Sequence, residues 1–154
     1  MSGLALFIAT AGPTGYVRFA PGTAGSAIGL AVYLAMHALG FGIATEVGVT
    51  VVTVVIGTWA GAAAARHFQQ DDPSPVVIDE VAGQLVTLAA TGAGLRGAVL
   101  GFLVFRALDV IKPWPSGRLE RLHGGVGIMA DDVAAAIYGN LILRAAFLGV
   151  PGLI

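Results

Sequence analysis

The sequence predicts an all-α integral membrane protein: a multi-helix bundle of about four to five hydrophobic helices with three polar loops converging on one face. Three observations carry that prediction. Of the 154 residues, 56% are hydrophobic and only 11% are charged, against about 25% charged in an ordinary soluble domain. Mean hydropathy is +0.86, and eight basic plus nine acidic side chains are too few to clothe a soluble domain of this size. The charges that exist cluster in stretches separating long apolar runs. The length suits one domain over 1–154. A net charge of −1 offers no basic field for nucleic acid. The absence of cysteine excludes disulfides, thiolate nucleophiles and thiolate metal sites.

Residues 1–10 are apolar but too short to span a bilayer, and they lack the basic start of a cleavable signal peptide, so none is expected. Residues 11–26 read as a loop rich in glycine and proline. The run 27–44 has His37 as its sole ionisable group, and 47–65 has none; both reach the about 17–25 residues a spanning helix needs. Residues 66–80 form a polar loop with Asp71, Asp72, Asp79 and Glu80, broken by Pro73 and Pro75. The runs 81–91 and 97–111 are shorter and suit a hairpin packed inside the protein, with glycine and alanine allowing close helix contact. Residues 112–132 are a third polar loop, and 133–150 a last apolar helix interrupted by Asn140 and Arg144, with Pro151 and Gly152 ending it.

Counting crossings places the three polar loops on one side. That side carries Arg18, Arg66, Arg106, Lys112, Arg118 and Arg121, against Arg96 and Arg144 opposite, so the positive-inside rule puts it in the cytoplasm. It also carries every acid except Glu46.

Three groups of acids stand out on that side. Asp79 and Glu80 enter a helix, where the helix dipole alone would favour them. Asp131 and Asp132 precede an apolar run, where an N-cap pair is the plainer reading. Asp109 lies near the end of an apolar helix, the wrong end of the dipole, and must be neutralised. Arg106, Asp109 and Lys112 recur every three residues and share a helix face, and Pro113 helps to stop the helix there. Together these acids offer up to five carboxylates. Oxygen ligands without cysteine suit a hard cation, with Mg²⁺ the first choice. The stretch 21–26, PGTAGS, reads as a glycine-rich turn with Ser26 as N-cap, or as a backbone cradle for an anion at a helix start. The stretch 123–127, HGGVG, reads as a flexible loop with one histidine.

Four blocks in order then resemble one family: APGTAGS at 20–26, IDEVAG at 78–83, FRALDVIKPWP at 105–115 and HGGVGIMADD at 123–132. They are similar to the signature blocks of phosphatidylglycerophosphatase A, over about 9–145. The resemblance implies a multi-pass, Mg²⁺-dependent phosphatase of the bacterial inner membrane, its active site facing the cytoplasm. Its phospholipid substrate would be phosphatidylglycerophosphate, drawn from the lipid bilayer, and its product phosphatidylglycerol. On that basis Asp79, Glu80, Asp109, Asp131 and Asp132 are the expected metal ligands. Arg106 and Lys112 are expected on phosphate oxygens, with Thr23, Gly25 and Ser26 in the cradle. Asp79, Asp109, Asp132 and His123 are the expected catalytic residues, His123 protonating the leaving alkoxide. A metal-activated water and an aspartyl nucleophile at Asp109 or Asp79 both stay open. So does the oligomeric state, a homo-oligomer included. The alternative function is a transporter or channel using the clustered carboxylates as an ion site.

Overall fold

A computed structural model describes residues 2–119 and 122–150. Among these residues it contains helices and no strand. The order is α1 (Ser2–Ala9), a 3-10 turn (Thr14–Tyr16), α2 (Pro21–Ala38), α3 (Ile43–Phe68), α4 (Ile78–Leu88), α5 (Leu95–Ile111), α6 (Ser116–Leu119) and α7 (Gly124–Gly149). The expected helix-ending Pro151 and Gly152, and Glu120 and Arg121 of the third polar stretch, lie outside the described residues.

Helix α4 is the axis of the bundle. It packs against α2, α3, α5 and α7. Nine of its eleven residues are buried, including the polar Asp79, Gln84 and Thr87. The short apolar run 81–91 therefore supplies most of an interior helix, which ends at Leu88, whereas its expected hairpin partner 97–111 lies in α5, which turns Val99, Leu103, Val110 and Ile111 outward. The outer helices instead turn large apolar side chains outward: Val51, Val52, Val55 and Trp59 on α3, and Leu141, Ile142 and Leu148 on α7. Helices α3 and α7, 26 residues each, are long and apolar enough to cross a membrane.

Two expected loops are helix. Residues 21–26 form the first turns of α2, with Pro21 at its start where a missing N–H costs nothing. The glycines serve close packing rather than a turn: a Cβ at Gly22 would overlap Glu80 Oε1, and one at Gly25 would stand 2.8 Å from Val77 O. Likewise α7 starts at Gly124, not near Val133. A Cβ at Gly125 would overlap Thr58 O, so this end of α7 is pressed onto α3. Asp131 and Asp132 thus sit two turns inside a helix, and an N-cap role is excluded. Arg66 and His67 belong to the last turn of α3 rather than to the loop that follows. Helix α5 does stop where the proline requires, at Ile111, with Lys112 turned into the left-handed region (φ 48°).

Candidate active site

The first turn of α4 presents Asp79 and Glu80 to the interior. Helix α7 brings Asp131 and Asp132 from the opposite wall, and the end of α5 supplies Asp109 and Lys112. With Asp72, Ser74, Val76 and Val110 they line one basin of about 300 Å³. Residues from two of the polar stretches, 66–80 and 112–132, therefore meet with Asp109 in a single place. The 20–26 stretch backs it through Gly22, against Glu80.

The carboxylates are not equivalent. One oxygen from each of Asp79, Glu80 and Asp132 comes within 4.8 Å of the others. Asp79 Oδ1, Glu80 Oε2 and Asp132 Oδ2 are buried and have no hydrogen-bond partner. Buried oxygens of this kind are rare in folded proteins and costly, and they point to a missing partner. Burial, then the charges of Glu80 and Asp132, push the Asp79 carboxyl well above the usual carboxylate range. Burial also raises Glu80, with Asp79 and the Arg106 guanidinium pulling the other way. Three inward oxygens, no sulfur and a shared negative field fit a hard divalent cation.

The other two expected ligands are already engaged. Asp109 Oδ2 accepts from Arg106 Nη1 at 2.8 Å, and Asp109 lines the same basin as Asp132. Asp131 Oδ2 accepts from Lys112 Nζ at 3.0 Å, at the rim of the basin. The set best placed to hold a cation is Asp79, Glu80 and Asp132, with Asp109 beside it.

The stretch 21–26, expected as a loop that cradles an anion, is the start of α2. Gly25 and Ser26 are buried between α2 and α4. Ser26 is not an N-cap: its hydroxyl donates to Gly22 O at 3.0 Å and accepts from Arg106 Nη1 at 3.4 Å. It steadies the arginine. Thr23 is exposed. His123 precedes α7, its side chain 85% exposed, with Asp71 as a partner at 4.0 Å. It is not among the residues lining the basin. Sequence reasoning also missed Gly22 as a contact of Glu80 and Arg106, because a glycine reports nothing about what approaches it.

The opposite end of α4 is finished differently. Asn140 Nδ2 donates to the carbonyls of Val86, Thr87 and Ala89 at 2.9 to 3.1 Å. Arg144 donates to Asn140 Oδ1 and to Ala90 O, each at 2.8 Å. Glu46 accepts from the Ala90 N–H at 3.2 Å, and Tyr33 donates to Ala93 O at 3.1 Å.

Comparison with known proteins covers nearly the whole bundle. Residues 7–147 match the family described as Phosphatidylglycerophosphatase A. A Bacteroides thetaiotaomicron protein, provisionally named a phosphatidylinositol-3-phosphatase, is 34% identical over 93% of each chain. The Escherichia coli phosphatidylglycerophosphatase A is 32% identical, over 84% of this chain and 76% of its own. The Haemophilus influenzae phosphatidylglycerophosphatase A is 31% identical, over 86% and 82%. No solved structure matches. None of these relatives supports the transporter alternative.

Proposed function

The chain belongs to the phosphatidylglycerophosphatase A family of phosphoric monoester hydrolases, and from that premise we propose that it is a Mg²⁺-dependent enzyme releasing the terminal phosphate of phosphatidylglycerophosphate. The observation that carries this reading is the trio of buried, unpartnered oxygens on Asp79, Glu80 and Asp132. These residues would hold the cation, with Asp109 beside them. A bound Mg²⁺ supplies charge neutralisation at the phosphoryl oxygens and lowers the pKa of a coordinated water. The protein's own residues do the rest. Lys112 sits on the basin wall and Arg106 behind Asp109, so both can shift from a carboxylate to the incoming phosphate. A guanidinium suits two phosphate oxygens at once. Ser26 limits how far Arg106 swings.

The substrate's acyl chains require a lipid surface, and the bundle suits one. Its outer faces are apolar where a soluble protein would carry charge, and α3 and α7 have spanning length. We read the chain as a single multi-pass domain of the bacterial inner membrane with the basin at the cytoplasmic headgroup level, where six of the eight basic residues belong. The name of the Bacteroides relative favours a second substrate reading, an inositol lipid 3-phosphate.

One assay tests the proposal. Purified protein in detergent with Mg²⁺ is given phosphatidylglycerophosphate or phosphatidylinositol 3-phosphate, and phosphate release is followed. Faster release from the glycerol lipid is expected. Faster release from the inositol lipid would move the assignment to the second reading. No release from either, with Asp109→Asn behaving as the parent protein, would end the hydrolase reading of this basin.

A further inference from the structure

Gln84 is fully buried in α4, and neither its Nε2 nor its Oε1 has a partner. A methionine or leucine would fill such a space without leaving an amide unmatched. The residue lies one turn beyond Glu80, whose Oε2 is likewise buried and unpartnered. Both face α2: a Cβ at Gly22 or Gly25 would meet Glu80, and a Cβ at Gly29 would meet Gln84 Cβ at 2.8 Å. Helical side chains lean toward the helix N-terminus, so Gln84 leans over the turn that carries Glu80. Neighbouring hydroxyls are already committed, Ser26 to Gly22 O and Thr87 to Gly83 O. An orphaned donor and an orphaned carboxylate therefore stand one turn apart on one helix face, the spacing at which such side chains pair.

We propose that Gln84 is a positioning residue for the carboxylate site, its amide donating to the Glu80 carboxylate and fixing that group in its cation-holding orientation. The inference rests on reading Asp79, Glu80 and Asp132 as a cation site. Groups one step removed from a metal typically change its affinity about 10–100-fold when lost.

The test titrates Mn²⁺ into purified full-length protein in detergent, following free Mn²⁺ by electron paramagnetic resonance. Melting temperatures are recorded in chelator. Gln84→Met is expected to weaken Mn²⁺ binding about 10-fold or more, while the metal-free melting temperature stays level or rises. Gln84→Leu should do the same, which guards against a packing fault peculiar to methionine. Affinity within twofold of the parent in both variants overturns the proposal. So does a lowered melting temperature with unchanged affinity of the folded protein, because that describes a packing role only. Glu80→Gln separates the two layers. If it weakens Mn²⁺ binding while Gln84→Met does not, only the positioning role fails. If it too leaves binding unchanged, the cation site fails and the positioning role falls with it.

Discussion

The two ends of helix α4 are both polar and both set inside an apolar bundle, yet they are completed in opposite ways. At the C-terminal end Asn140 and Arg144 cover the last carbonyls, and Glu46 receives the Ala90 N–H. At the N-terminal end Asp79, Glu80 and Asp132 each keep a buried oxygen with no partner. The first arrangement lowers the energy of the fold by itself. The second raises it, since each buried, unmatched charge-bearing group carries a desolvation cost. A chain that finishes one end fully and leaves the other open marks the open end as the place where something else binds. Substitutions at the closed end should therefore reduce stability and spare turnover, and those at the open end should do the reverse.

The largest effect is expected from Asp79→Asn. Loss of several kcal/mol of metal-assisted stabilisation corresponds to a kcat roughly 10³-fold lower. The metal-free melting temperature should hold or rise, because a repelling acid has gone. Phosphate release and thermal melting in detergent together check both halves.

Gly22→Ala is next. The new methyl would displace Glu80 Oε1 and crowd Arg106 Nη2 at 3.2 Å. Both are ends of flexible side chains, so the fold can yield where the site cannot. A shift of that kind is expected to lower kcat/KM by roughly 10–100-fold, with a small change in melting temperature.

Asn140→Leu tests the closed end. It takes a donor from three carbonyls at the end of α4, of which Val86 O keeps the Ala89 N–H and Ala89 O keeps Arg144 Nη2, and should cost about 1–3 kcal/mol of stability. Turnover per folded molecule should stay within a few-fold of the parent, measured as phosphate release normalised to the folded fraction.

The smallest expected effect concerns pH in the metal-free protein. Asp79 has its carboxyl raised in the folded state by burial and by neighbouring acids, so the folded protein holds a proton that the unfolded chain gives up near pH 3.9. That contribution is fully present below the ordinary carboxylate range and is lost as pH rises through the raised folded value. Melting temperature in chelator should therefore fall as pH rises from about 4. Added Mg²⁺ should restore it more at neutral than at acid pH, because protons compete for the same oxygens.

Much of the open end was legible in the sequence, because a chain with so few charges cannot hide where they gather. Asp79, Glu80, Asp109 and Asp132 were all marked by that scarcity, and the apolar runs announced the helices. What the sequence concealed lay at the glycines. The 20–26 and 123–127 stretches read as turns, since glycine is the usual residue of turns. Here the missing side chains let α2 ride on α4 and α7 on α3, and helical contact replaces the expected loop. Ser26 lies buried against Arg106, and His123 stands exposed beside Asp71. Nor does spacing reveal which acids already have partners. Asp131 and Asp132 are neighbours in sequence, but a helix turns one toward Lys112 and the other toward Asp79 and Glu80.

A divalent cation completing the open end of α4 would make phosphate release depend on it. The most direct measurement is phosphate release from phosphatidylglycerophosphate by the purified protein, after stripping with chelator and again after Mg²⁺ is returned, with Asp79→Asn alongside. No release is expected when the protein is stripped, with recovery on adding Mg²⁺ and no recovery for Asp79→Asn. Undiminished release from the stripped protein, or full recovery by Asp79→Asn, would contradict that dependence.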